Sequence, residues 1–479
     1  MKEYVDKFNG EDKEIYTNYI PNNASYDWMA SHIPLIDIPD KEIEQVYYFR
    51  WWTFRKHIKK TPTGFVITEF LPSVSWAGKH NTISCACGHH IREGRWLGIP
   101  PENNDIIKDY INYWYNESDN LNAYSNWLDW AVYGLCELRG DYSIVLDNLD
   151  RMVYFFNERE KTNFRSDVGL FWSECDRDGQ EYAISGNGFR LPLNCYAAAN
   201  AEAIANTASL AGKHELAAEF RKKAETLKDK INSLLWSQED QFFLNIACFQ
   251  KDGKPDYKHS EKNYKIVELW GYTPWYFNLA IPGKEEAFSR LDDSRCFAGK
   301  YGLVVADRSH PCYFRENQEI IHECLWNGPV WPFSTSIALS ALANSSRKND
   351  GLFYRLLKQY AASHHLDPAD KTSSFWIDEN MNPDTGEWIS RSMLMHWGPH
   401  GWDKNKGGEE RGKDYNHSTF CDIVISGLFG IRTEKNTLTA KPLFPNDWQE
   451  ASIHNIPFHG KLYSIYYKNN NVSIIEDVE

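Results

Sequence analysis

From about residue 103 to 430 the chain reads as a succession of long helices whose apolar residues are not confined to one narrow stripe. Ile106 to Asn116 is one such stretch. Ala123 to Leu138 is another, with Trp127, Trp130, Ala131, Leu135 and Leu138 at helical spacing. Asp141 to Arg159, the Ala-rich run Asn194 to Ala211, Lys213 to Leu235, Pro329 to Ala343 and Asp350 to His364 continue the series. A helix that is apolar over a broad face must pack on more than one side. Paired helices joined by alternately short and long links predict a toroid of helical hairpins. No period of roughly 20–50 residues repeats, which disfavours an open solenoid. The long links, Gly169 to Pro192, Tyr301 to Asn327 and Ser373 to Tyr415, carry the polar clusters. Loops on a rigid scaffold are where functional residues concentrate.

The ends of the chain read differently. Residues 1–100 are broken by Pro21, Pro34, Pro39, Pro62, Pro72 and Pro100. Ile43 to Lys59 fits a helix, and Gly64 to Phe70 alternates like a short strand. Cys85 to Leu97 gathers His89, His90, Glu93, Arg95 and Trp96. After Gly430 the helices stop, and Thr437 to Ala440 and Gly460 to Ile475 alternate with β-formers. The expectation is a mainly α fold with a mixed N-terminal segment over 1–100, a helical domain over 101–432 and a small C-terminal β appendage over 433–479.

The net charge of −14 argues against a nucleic-acid partner and against an anionic membrane surface. No apolar run reaches the ~18 residues of a membrane span. The first residues are polar, without the basic start and apolar core of a secretory signal, so the expected location is cytoplasmic. Ten cysteines include one close pair, Cys85 and Cys87, and no CxxC, which predicts buried, reduced thiols rather than a zinc ribbon. His89-His90 and His364-His365 lack metal spacing, and His322-Glu323 lacks the second histidine of HExxH. Neither a phosphate-binding lysine loop nor a dinucleotide glycine pattern occurs. No metal and no cofactor is expected.

The chain is rich in aromatic residues, with 19 Trp, 27 Tyr and 25 Phe. Such residues fill large cores, but Trp also offers a flat face for sugar rings. Carbohydrate chemistry therefore joins the list, and three clusters bear on it. The loop Phe171 to Glu181 packs Glu174, Asp176, Asp178 and Glu181 beside Trp172. Glycoside hydrolysis needs a proton donor with a raised pKa, and crowded carboxylates and aromatic walls both supply that. The alternative is a solvated acidic loop with Arg177 as ion-pair partner. The second cluster sets Trp376, Asp378 and Glu379 ahead of the turn Asn382-Pro383-Asp384-Thr385-Gly386. Its alternative is a surface turn with its acids in water. The third, Leu325-Trp326-Asn327-Gly328-Pro329-Val330-Trp331-Pro332, opens a helix. There Trp331 either faces a pocket or fills the core.

In this order the clusters resemble the inverting glycosidases of glycoside hydrolase family 63, the mannosylglycerate and glucosylglycerate hydrolases within it, and the trehalases. The matching residues are Trp172 with Asp176 or Asp178, then Gly328-Pro329-Val330-Trp331, then Glu379 with Asn382-Pro383-Asp384-Thr385-Gly386. The acid loop departs from that pattern: Arg177-Asp178-Gly179-Gln180-Glu181 is closer to the α-L-rhamnosidases, which share the toroid. The C-terminal stretch with Pro457-Phe458-His459-Gly460 also looks like the small sheet that follows it. The resemblance implies an (α/α)6 toroid and exo-acting hydrolysis of a small carbohydrate with inversion. Glu379 would be the base, and the acid would be Asp178 ahead of Glu181 and Asp176. Gly179 beside Asp178 allows close approach to a substrate. Trp172, Asn187, Arg190, Asn327, Trp331, Trp376 and His417 would bind the sugar. Rival readings are a phosphorylase on the same toroid, an epimerase using His89, His322 or His417 as bases, and a non-catalytic sugar-binding protein.

Overall fold

The computed structural model of the chain describes residues 1–477 apart from 100–104, 119, 249, 252–253, 256–265, 315–321, 346–350, 398–400 and 435. The expected boundary between 100 and 101 lies outside the described residues.

The fold is mainly helical. Helices stand where the periodicity predicts them: Leu128–Arg139, Ser143–Asn163, Leu191–Leu210, His214–Lys230, Pro332–Asn344 and Leu352–Ala362. Pro192 and Pro332 occupy first turns, where a missing N–H costs no hydrogen bond. Leu191–Leu210 is buried on nearly every side, and its many alanines let neighbouring helices approach closely. Lys41–Lys56 belongs to the same interior: Asp40 caps it by accepting from the backbone N–H of Glu42 and Ile43, and Tyr47, Trp51, Trp52 and Phe54 are buried along it. One continuous apolar cluster runs from Val5 to Tyr467. A smaller cluster of Phe70, Val74, Ile83, Cys85, Ala86 and Tyr415 stands apart from it.

Among the described residues, five helices had no counterpart in the sequence analysis: Lys2–Glu11, Ser25–His32, Cys87–Gly94, Thr273–Tyr276 and Ile389–Trp397. The strand expected over 64–70 is shorter, Gly64–Ile67, and pairs antiparallel with Ile58–Thr61. The C-terminal strands Glu450–Phe458, Lys461–Lys468 and Asn471–Glu476 form a meander, and Leu35–Asp37 adds to its edge with Leu35 opposite His454. The β region is therefore not wholly C-terminal, because one of its four strands comes from the N-terminal segment. Among the described residues, no helix is long and apolar enough to cross a membrane.

Candidate active site

The residues before and within three loops converge on a cavity of about 310 Å³. Its wall on one side is the small apolar cluster around Phe70, Ile83, Cys85 and Tyr415. Four glutamates line it: Glu69, Glu181, Glu323 and Glu379.

Glu181 is presented by the acid loop. Cys175–Asp178 makes one tight helical turn that Gly179 ends in the left-handed region, at φ +69°. That reversal turns Asp178 inward and carries Glu181 on toward the cavity. Asp178 is buried and accepts hydrogen bonds from Ser125 Oγ and Arg190 Nε, both at 2.5 Å. Arg190 is equally buried and donates onward to Ser185 Oγ at 3.1 Å, to the Gly186 carbonyl at 2.5 Å and to Gln180. Asp178 and Arg190 thus clamp the loop from beneath. Neither lines the cavity, whereas the expectation had Asp178 meet the substrate as the acid and Arg190 bind it.

Burial raises the Glu181 carboxyl to about 7, and the charges of Asp176 and Glu379 push the same way. Trp326 donates its indole N–H to Glu181 Oε2 at 3.2 Å. Glu181 is therefore a carboxyl that holds a proton near neutrality and faces open space. Glu69 goes further, to about 8, chiefly through burial, although it accepts hydrogen bonds from the Tyr415 hydroxyl and, at 3.7 Å, from Cys85 Sγ.

Glu379 is built differently. Its backbone N–H donates to Asp378 Oδ1 at 2.8 Å, and its Oε2 accepts from Arg411 at 2.5 Å and from Cys324 Sγ at 3.4 Å. Arg411 also donates to Glu323 Oε1 at 2.9 Å, and Lys406 completes that network. The expected turn follows: Asn382 Oδ1 accepts from the backbone of Asp384 and Thr385, and Gly386 closes it. Met381 pairs with Val330 on one side and Trp388 on the other, so Glu379 sits on a braced segment.

Trp331 lines the cavity and stacks on Trp326, ring centroids 4.0 Å apart and planes within 10°. His417 lines it too. It is 2 % exposed, burial with His89 and Arg50 nearby pushes it well below its ordinary pKa, and neither ring nitrogen has a protein partner. It is a neutral ring with a donor and an acceptor free for hydroxyl groups.

The other expected binding residues stand elsewhere. Trp172 is buried outside the cavity, with Arg165 over its ring. Asn187 accepts from the backbone N–H of Cys175 and so holds the acid loop. The Asn327 carbonyl accepts from Phe314, and its side chain is not part of the cavity wall. Trp376 donates to Asp378 Oδ2 at 3.3 Å and lines a different cavity with Asp12 and Lys413. Sequence reasoning missed Glu69, Trp76, Tyr124, Arg411 and Tyr415, all on the cavity wall. Trp76 is 38 % exposed, with the Arg411 guanidinium 5.3 Å from its ring centre. The signal for Glu69 was faint: Thr68-Glu69-Phe70 continues an alternating stretch, and nothing local says what it faces. Among the described residues, no group of three or more His, Cys, Asp or Glu is placed to hold a metal ion.

A mainly helical scaffold with carboxyl groups converging on one cavity matches the six-hairpin glycosidases. Residues 79–418 match the mannosylglycerate hydrolase MGH1-like glycoside hydrolase domain, and the chain belongs to that family. A solved chain named as a sialidase superposes with a TM-score of 0.86 and 31% identity, over 99% of this chain and 42% of its own length. An α-L-rhamnosidase from Streptomyces avermitilis shares the fold at a TM-score of 0.57 and 13% identity, over 92% of this chain and 37% of its own. An uncharacterized protein of Borreliella burgdorferi is 29% identical over 124 residues, which is 24% of this chain and 25% of that protein. The chain thus spans under half the length of the sialidase and matches a quarter of the Borreliella protein.

Proposed function

We propose that this protein is an exo-acting glycosidase on a closed (α/α)6 toroid that hydrolyses a small glycoside with inversion, with Glu181 as proton donor and Glu379 as general base. The observation that carries the reading is the contrast between the two carboxyls. Glu181 retains its proton to about pH 7, in contact with an indole and with no ion-pair partner among the described residues. Glu379 has the Arg411 guanidinium as its counter-ion. Acid and base roles are separated by environments of this kind.

In the reaction, Glu181 gives its proton to the glycosidic oxygen as the bond from the anomeric carbon to that oxygen breaks. Glu379 takes a proton from a water that attacks the same carbon from the opposite face. The two acids are held by Trp326 and Cys324, two residues apart, whose Cα atoms lie within ~7 Å. Inverting enzymes keep their carboxyls ~6.5–9.5 Å apart to admit the water. Protonated Glu69 and neutral His417 face the same space and suit sugar hydroxyls, and the Trp326–Trp331 stack offers an apolar wall. The rhamnosidase-like sequence of the acid loop agrees with the donor being Glu181 rather than Asp178.

Proton NMR of the first-formed product tests the reading. The free sugar should appear as the anomer opposite to that of the substrate. A retained anomer would mean a covalent nucleophile, and release that requires phosphate would mean a phosphorylase.

A further inference from the structure

The helices that carry the site to one end of the molecule also have far ends, and there a second, larger cavity of about 550 Å³ opens. Cys87–Gly94 starts next to Cys85 of the active-site wall and ends at Arg92 and Arg95. Pro332–Asn344 starts after Trp331 and runs to Ala343 and Asn344, beside Arg92 and Arg432. A helix of that length separates its ends by about 20 Å, and the two cavities share no lining residue.

The inner end of this cavity has an unbalanced charge. Arg92, Arg95 and Arg432 surround one buried carboxylate, Asp422. Asp422 accepts from Arg95 at 2.6 Å and from Arg92 at 3.1 Å, and it also accepts from the Trp96 indole and Ser426. Arg432 has no side-chain hydrogen bond and no ion pair among the described residues; it feels the charge of Arg92 against it and those of Asp422 and Glu434 in its favour. The Nε of Arg92 is buried without a partner. The NH1 groups of Arg92 and Arg95 have no acceptor among the described residues either, and both lie by one place: a Cβ on Gly134 would stand 3.8 and 3.9 Å from them. Gly134 lies inside Leu128–Arg139, where glycine costs about 0.5–1 kcal/mol against alanine. Its missing side chain keeps the approach to those two groups open. Glu137 and Glu202 also line the cavity; Glu137 stands near enough to Arg95 and Arg92 to feel their charge, but neither glutamate forms an ion pair with the three arginines among the described residues. Asp422 and Ser426 sit at a widened π turn, Ile423–Leu428, a geometry common at functional positions.

We propose that this cavity is a second binding site, for a small ligand whose phosphate or carboxylate group lies between Arg92, Arg95 and Arg432 and whose body rests on Trp130 and Tyr133. Guanidinium forks match both oxyanions in shape and charge. A bound anion supplies the negative charge that one aspartate cannot, in a chain whose other surfaces are acidic overall. The indole of Trp130, already beneath the Arg92 guanidinium at 5.1 Å, gives a flat wall of the kind that sugar rings accept. The site stands on its own geometry and does not depend on the glycosidase reading.

Isothermal titration of the full-length protein with inorganic phosphate, glucose 6-phosphate, glucuronate and neutral glucose tests it. Wild type should bind at least one of the three anions, and the arm that binds tells phosphate from carboxylate. Arg432→Ala should weaken that binding by about tenfold or more, the worth of a charge-assisted hydrogen bond. The same variant should melt close to wild type without ligand, because Arg432 makes no ion pair or side-chain hydrogen bond among the described residues that would be lost. Glu379→Gln, at the other cavity, should leave the anion affinity unchanged. The proposal fails if no anion binds at millimolar concentration, if Arg432→Ala binds as wild type does, or if neutral glucose displaces the anion.

Discussion

Trp326 holds Glu181 twice: its backbone N–H donates to the Glu181 carbonyl at 3.0 Å, and its indole N–H donates to the Glu181 carboxyl at 3.2 Å. The third cluster of the sequence therefore serves the first. Trp326 also stacks on Trp331, so one short segment orients the proposed acid and builds the wall beside it.

Glu181→Gln should remove the proton donor and leave the base. Hydrolysis of an alkyl glycoside, whose leaving group needs protonation, should fall by ~10²–10⁴, while a dinitrophenyl glycoside should be cleaved at nearly the wild-type rate. Equal losses on both substrates would take the donor role from Glu181.

Asp178→Asn should act through stability. It strips the counter-ion from a fully buried Arg190, which typically costs about 3–5 kcal/mol. Thermal melting should show a large drop, and the residual activity should show no dependence on the leaving group. A leaving-group dependence with unchanged melting would restore Asp178 as the acid.

Glu379→Gln should lower turnover by ~10²–10⁴ on every substrate, including activated ones, with binding nearly intact. A variant that keeps more than about a tenth of wild-type turnover would exclude Glu379 as base, since such residues contribute at least ~10²-fold.

The raised carboxyls give a signed pH dependence. Glu181 moves to about 7 and Glu69 to about 8, so between ~4.5 and those values the folded chain keeps protons that the unfolded chain has released. Their contribution to stability is complete below ~4.5, declines as pH rises, and is lost above the folded values. For Glu181 the change is on the order of 3 kcal/mol. Glu181→Gln and Glu69→Gln should each melt progressively higher than wild type as pH goes from about 5 to 8.5, because the amide never ionises. A melting difference that does not change with pH would refute this. Wild-type kcat/KM should fall along an alkaline limb near pH 7.

Much of the helical scaffold was legible because its determinants are local. The Ala-rich periodicity placed Leu191–Leu210 within a few residues, and the Asn382 turn followed from its own side chain. Glu379 and Trp331 came from motifs of the same local kind. The acid loop was harder: a glycine next to Asp178 suggested close approach to a substrate, but its left-handed φ reverses the chain and sends Asp178 to Arg190. Nothing local favours Glu181 over Asp178, because the indole that meets its carboxyl, Trp326, is 145 residues distant. Glu69 and Arg411 had no local signature. Glu69 lies in an alternating stretch whose far side the sequence does not name, and Arg411 is one cation in a polar, Gly-rich run.

The edge pairing of Leu35–Asp37 with the C-terminal meander also has a meaning in time. Leu35 leaves the ribosome roughly 400 residues before its partner His454. At synthesis rates of ~5–20 residues per second, that strand waits about 20–80 s with an open edge. Exposed edges invite pairing with other chains. A nascent chain of this protein is thus most vulnerable to misassociation just before the meander is made, when nearly all of the described helices exist and the strand that seals this first edge does not.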